Sequence, residues 1–134
     1  MAVLSKLQPE RVFHYFEELC QIPHGSHNTK QISDWLANFA KERGLWYSQD
    51  EANNIIIKKP AAKGCEAAPT VILQGHCDMV CEKTPESTHD FTKDPLELMI
   101  EGDFVTAKDT TLGGDDGIAV AYISRRPSGL RKTR

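Results

Sequence analysis

The sequence predicts an α/β fold, a mixed sheet flanked by helices, and three observations carry that expectation. Two stretches near the start repeat their apolar residues at helical spacing; Val71-Ile72-Leu73 is a continuous apolar run; and the glycine-rich loop Leu112 to Gly117 leads into the apolar Ile118-Ala119-Val120-Ala121-Tyr122. Helical and strand-like patterns that alternate along one chain are what an α/β domain requires.

Pro9 and Glu10 open the first helix, with Val12, Phe13, Phe16, Leu19 and Cys20 on one stripe, and Pro23 ends it. Residues 23–28 read as a loop. Asn28 or Thr29 then caps a second helix that carries Ile32, Trp35, Leu36, Phe39 and Ala40 and closes at Gly44. The aromatic residues of both helices sit at spacings expected of a core. Leu45 to Gln49 and Ile55 to Lys59 flank a turn of Asp, Asn and Glu residues and predict a hairpin, and Pro60 to Pro69 is a loop.

Thr70 to Gln74 predicts a central strand buried on both faces. His76 and Asp78 would stand at its carboxyl end, the edge where open α/β sheets form their ligand crevices. Cys81 to Pro95 is polar and loop-like, and Leu96 to Ile100 with Phe104 to Ala107 predict a second hairpin around Gly102-Asp103.

Composition narrows the function classes. A chain of 134 residues is about one domain, and 40% hydrophobic with 26% charged residues is a globular balance. A net charge of −3, with basic residues scattered until the last dozen positions, argues against a nucleic-acid partner. The first nine residues hold no apolar signal segment, and no stretch approaches the roughly 18 apolar residues of a membrane span. No membrane association is expected, and the cytoplasm is the simplest compartment. Cys20, Cys65, Cys77 and Cys81 lack C-x-x-C spacing and read as reduced, mostly buried thiols.

Two short motifs carry chemistry. In His76-Cys77-Asp78 an extended backbone puts the histidine and the aspartate on one face, roughly 6 to 7 Å apart at the backbone, with Cys77 turned the other way. An imidazole binds zinc-like ions well, and a neighbouring carboxylate can take its other ring proton and fix its orientation. The second motif, Leu112-Gly113-Gly114-Asp115-Asp116-Gly117, is too negative to cradle phosphate and lacks the phosphate loop's lysine. An EF-hand is excluded as well, because counting from Asp109 no Glu falls at the twelfth position. A bound cation and a glycine turn capping a helix both remain open on spacing alone. His24, His27 and His89 read as solvated loop histidines, and no Ser or Cys stands in a nucleophile elbow.

The stretches 71–80, 89–95 and 110–118, together with Cys20-Gln21-Ile22-Pro23-His24 and residues 53–60, give the chain a resemblance to bacterial aminoacyl-histidine dipeptidase, also called peptidase D or carnosinase. The likeness runs from about Leu7 to Tyr122, in order. It implies the N-terminal part of a di-zinc exopeptidase catalytic domain and metal-dependent hydrolysis of Xaa-His dipeptides by a metal-activated water. It also implies that His76 ligates one zinc, that Asp78 is the catalytic residue orienting His76, and that Asp115 rather than Asp116 bridges two metals, zinc in the first instance with cobalt or manganese as substitutes. Where such enzymes usually have Gly and Ala, this chain has Asp109 and Gly114.

The resemblance stops near Tyr122. Residues 1–123 are expected to be an incomplete N-terminal part of the catalytic domain, and 124–134 a basic tail of the kind a frameshift or truncation produces, with a genuine basic terminus as the alternative. The general-base Glu, the remaining ligands and the lid and dimerisation domain of the resembled enzymes, which are homodimers through it, have no counterpart here. The chain alone is therefore expected to be inactive; the alternative is a noncatalytic metal-binding or partner-binding module.

Overall fold

A computed structural model describes residues 2–125. Helix α1 (Glu10–Cys20) and helix α2 (Lys30–Glu42) come first. Strands β1 (Trp46–Gln49) and β2 (Ile55–Lys58) form one antiparallel hairpin, and β3 (Leu98–Glu101) and β4 (Phe104–Ala107) form another. Helix α3 (Gly114–Arg125) follows, with regular helical geometry only after Asp116.

Both early helices follow the predicted stripes in the main, except that Tyr15 is buried while Phe13 and Trp35 are half-buried against the core. α1 buries Val12, Tyr15, Phe16, Leu19 and Cys20, and α2 buries Ile32, Leu36, Phe39 and Ala40. A fully buried side chain of this size stabilises by about 1.5–3 kcal/mol. Tyr15 of α1 meets Phe39 of α2 edge-on with ring centroids 5.6 Å apart, and Trp35 stacks on Phe39 at 5.6 Å. Gly44, with φ +62°, ends α2 in a Schellman turn, its N–H donating to Lys41 O and that of Leu45 to Ala40 O.

α2 packs on the first hairpin, whose turn is tied by Asp50: its Oδ1 accepts the backbone N–H of Ala52 (3.0 Å) and of Asn54 (2.8 Å). α3 packs on α1 through Val120 and Ala121, and Gly117 lets the helices approach: a Cβ there would lie 3.2 Å from the Phe16 ring.

The expected strand at Thr70 to Gln74 does not form. Among the described residues none pairs with it, and Val71, Ile72 and Leu73 are 78%, 85% and 52% exposed. Burial on both faces needs a neighbouring strand on each side and a layer above and below; the sequence pattern marks what the segment suits, and the described residues supply no such neighbours. α3 reaches Arg125, two residues into the segment read as a tail, while residues 126–134 lie outside those described. No helix among the described residues is long and apolar enough to cross a membrane.

Candidate active site

The segment after Gly75 is fixed from two sides. On one side the Pro23 to Asn28 loop runs parallel to it: the Met79 N–H donates to His24 O (3.0 Å) and the Ser26 N–H to Met79 O (3.1 Å). On the other side Thr111 donates its N–H to Glu82 O (2.9 Å) and its hydroxyl to Val80 O (2.7 Å), and the Thr84 N–H bonds Asp109 O (3.0 Å). That second zipper returns the glycine-rich loop to the start of the segment. Gly113 lies at φ +72°, and a Cβ on it would stand 3.0 Å from Met79 Sδ, so both backbone angle and space call for glycine.

These constraints bring His76, Asp78 and Asp115 together. His76 Nδ1 lies 3.1 Å from Asp78 Oδ1 and 3.1 Å from Asp78 O, and its Nε2 lies 3.0 Å from Asp115 Oδ1. Asp116 turns elsewhere, its Oδ2 accepting the His76 backbone N–H at 3.2 Å. Gly75 makes room for that carboxylate: a Cβ there would come within 2.9 Å of Asp116 Oδ2. Cys77, as expected, faces the core rather than this cluster.

The electrostatics follow from the contacts. The Asp115 carboxylate, and after it Asp78, stabilise the imidazolium of His76 and raise its pKa. The Ser26 hydroxyl, donating to Asp78 Oδ2 at 2.6 Å, and then His76 lower the pKa of Asp78. Once protonated, His76 can donate from both ring nitrogens.

The donor set fits part of a metal site. With metal–ligand bonds of about 2.0–2.1 Å, two ligands of a tetrahedral zinc lie about 3.3 Å apart, close to the 3.0 Å between His76 Nε2 and Asp115 Oδ1. Nδ1–H on Asp78 leaves Nε2 free for an ion, the usual arrangement of a metal-bound histidine. Asp115 is 96% exposed at its side chain, so its second oxygen is open. Among the described residues no third His, Cys, Asp or Glu completes the group.

Two sequence expectations about neighbours change. His24 is 4% exposed rather than solvated: its Nδ1–H donates to Ile22 O at 2.5 Å, and burial lowers its pKa. His89 is half-buried and packs edge-on against Phe91, while His27 is exposed as expected. Ser26, 52 residues from Asp78 in sequence, went unrecognised because no local spacing links the two.

The chain is similar to dipeptidases both in sequence and in fold. The chain is 43% identical over 121 residues to the cytosol non-specific dipeptidase of Escherichia coli (strain K12), a match covering 90% of this chain and 25% of that protein. Its structure matches that of aminoacylhistidine dipeptidase from Vibrio alginolyticus with a TM-score of 0.92 and 38% identity, over 96% of this chain and 26% of the other. The resemblance to the aminoacyl-histidine dipeptidases thus stands on sequence and on fold, and the chain spans about a quarter of the length of the relatives it matches. No family model matches it.

Proposed function

We propose that this chain carries part of a metal-dependent dipeptidase site, with His76 and Asp115 as metal ligands and Asp78 as the residue that orients His76. The observation that carries the reading is His76 itself, held at Nδ1 by Asp78 and facing Asp115 with Nε2. A metal ion held here would polarise the scissile carbonyl and make a bound water acidic enough to ionise near neutral pH. Zinc suits the imidazole and carboxylate donors, and cobalt or manganese can substitute.

The substrates we propose are Xaa-His dipeptides, the class in the name of the Vibrio relative, and the compartment is the cytosol named for the Escherichia coli one. With no third ligand among the described residues, the 134-residue chain by itself is proposed not to turn over. The same two-ligand set supports the second reading, a module that binds a metal ion without catalysis. Homodimerisation is proposed to rest on portions of the relatives outside the matched quarter.

A chimera tests this: residues 1–125 replace the matching quarter of the Escherichia coli enzyme, and zinc-dependent cleavage of an Xaa-His dipeptide is followed. The expected result is activity that chelator removes and that His76→Ala and Asp115→Ala abolish. Cleavage that survives His76→Ala, or is indifferent to chelator, contradicts the proposal.

A further inference from the structure

We infer that Ser26 is a positioning residue for the metal-ligating histidine, acting through Asp78. The inference rests on the reading of His76 as a ligand and adds a residue to it.

The contacts form one line. Ser26 Oγ–H donates to Asp78 Oδ2 at 2.6 Å; the other oxygen of that carboxylate, Oδ1, lies 3.1 Å from His76 Nδ1; and His76 Nε2 faces Asp115 Oδ1 at 3.0 Å. A carboxylate has two oxygens and one free torsion near its end. Fixing Oδ2 on the serine aims Oδ1 at the ring, where it joins the Asp78 carbonyl, also 3.1 Å from Nδ1, in holding the Nδ1–H tautomer that leaves Nε2 for the ion.

Ser26 is itself placed by the backbone. Its N–H bonds Met79 O at 3.1 Å and the preceding His24 O accepts the Met79 N–H at 3.0 Å, so the loop lies alongside residues 78–79 as a short parallel bridge. Gly25 permits the approach, since a Cβ on it would fall 2.5 Å from Cys81 Sγ. The Pro23 to Asn28 loop therefore does more than join two helices: it carries the hydroxyl that completes the histidine's support.

Ser26 is exposed, so removing its hydroxyl leaves the core intact. Partners behind a metal-bound histidine typically change metal affinity 10- to 100-fold, and the solvent-accessible setting of Asp78 points to the lower end, roughly tenfold. The test is zinc titration of the full chain by calorimetry, with Ser26→Ala, Ser26→Thr and His76→Ala, alongside long-range ¹H–¹⁵N spectra of the metal-free chain above the pKa of His76. Ser26→Ala should bind zinc about tenfold more weakly and shift His76 toward the Nε2–H tautomer, and Ser26→Thr, which keeps the hydroxyl, should recover most of both. If His76→Ala abolishes zinc binding while Ser26→Ala leaves affinity or tautomer unchanged, the role of Ser26 is overturned and the metal site stands. If His76→Ala leaves zinc binding unchanged, the metal site itself is wrong and the role of Ser26 falls with it.

Discussion

The carboxylate of Asp116 accepts the backbone N–H of His76 at 3.2 Å, joining the start of the histidine segment to a loop 40 residues later in the chain. The two adjacent aspartates thus divide their work. Asp116 fastens backbone, and Asp115 is the one of the two that faces the imidazole ring.

Gly75→Ala places a methyl group where the Asp116 carboxylate sits. Because that carboxylate can swing away, the expected cost is one hydrogen bond to a charged group, about 1.5–3 kcal/mol at most and less at this exposed position. Denaturant unfolding should show the loss, and the His76 amide should exchange faster with deuterium than in the parent chain.

The two departures from the resembled enzymes have local explanations. Asp109 lies at φ +57°, in the left-handed region where glycine is usual and where Asp is among the better tolerated alternatives. Gly114 is not left-handed, and a Cβ there would meet only Leu112 Cδ2 at 4.0 Å. Gly114→Ala should therefore stabilise the chain by about 0.4–1 kcal/mol through the unfolded state, while Asp109→Val should destabilise it by about 1–2 kcal/mol. Urea midpoints of the two variants check both signs.

Burial lowers the pKa of His24, so the folded chain prefers this ring neutral. With the folded pKa below the unfolded value of about 6.5, its contribution to stability is full above that pH and is lost as pH falls through the window below it. Unfolding midpoints at pH 7.5 and 5.0 should differ more for the parent than for His24→Asn. His76 works in the opposite direction, its raised pKa adding stability that fades as pH climbs past the ordinary histidine range, so the comparison is repeated in a His76→Ala background.

Cysteine reactivity should follow burial. Cys20 is 2% exposed and its thiol is pushed up to about 12 by desolvation, whereas Cys65 is exposed on the Pro60 to Pro69 loop. Iodoacetamide on the native chain should label Cys65 first and Cys20 only after denaturation, as peptide mass mapping would show.

The helices, both hairpins and their turns were legible because each depends on neighbours close in sequence: the stripes of α1 and α2, Gly44 at its Schellman turn, Gly102 with φ +60° between β3 and β4. The pairing of His76 with Asp78 was legible for the same reason, two residues on one face of an extended segment. Ser26 and the burial of His24 were not, since both depend on the Pro23 to Asn28 loop lying against Met79, a contact across more than 50 residues that leaves no periodic trace. The apolar run at Val71 to Leu73 misled in another way. Its composition suits a strand buried on both faces, and a strand exists only where partners pair with it.

The most direct test of the metal-site account is calorimetric zinc titration of the 134-residue chain beside His76→Ala and Asp115→Ala. The account predicts a single weak site in the parent, lost in His76→Ala and markedly weakened in Asp115→Ala, with all three chains equally folded by circular dichroism. Equal zinc binding by the parent and His76→Ala would contradict it.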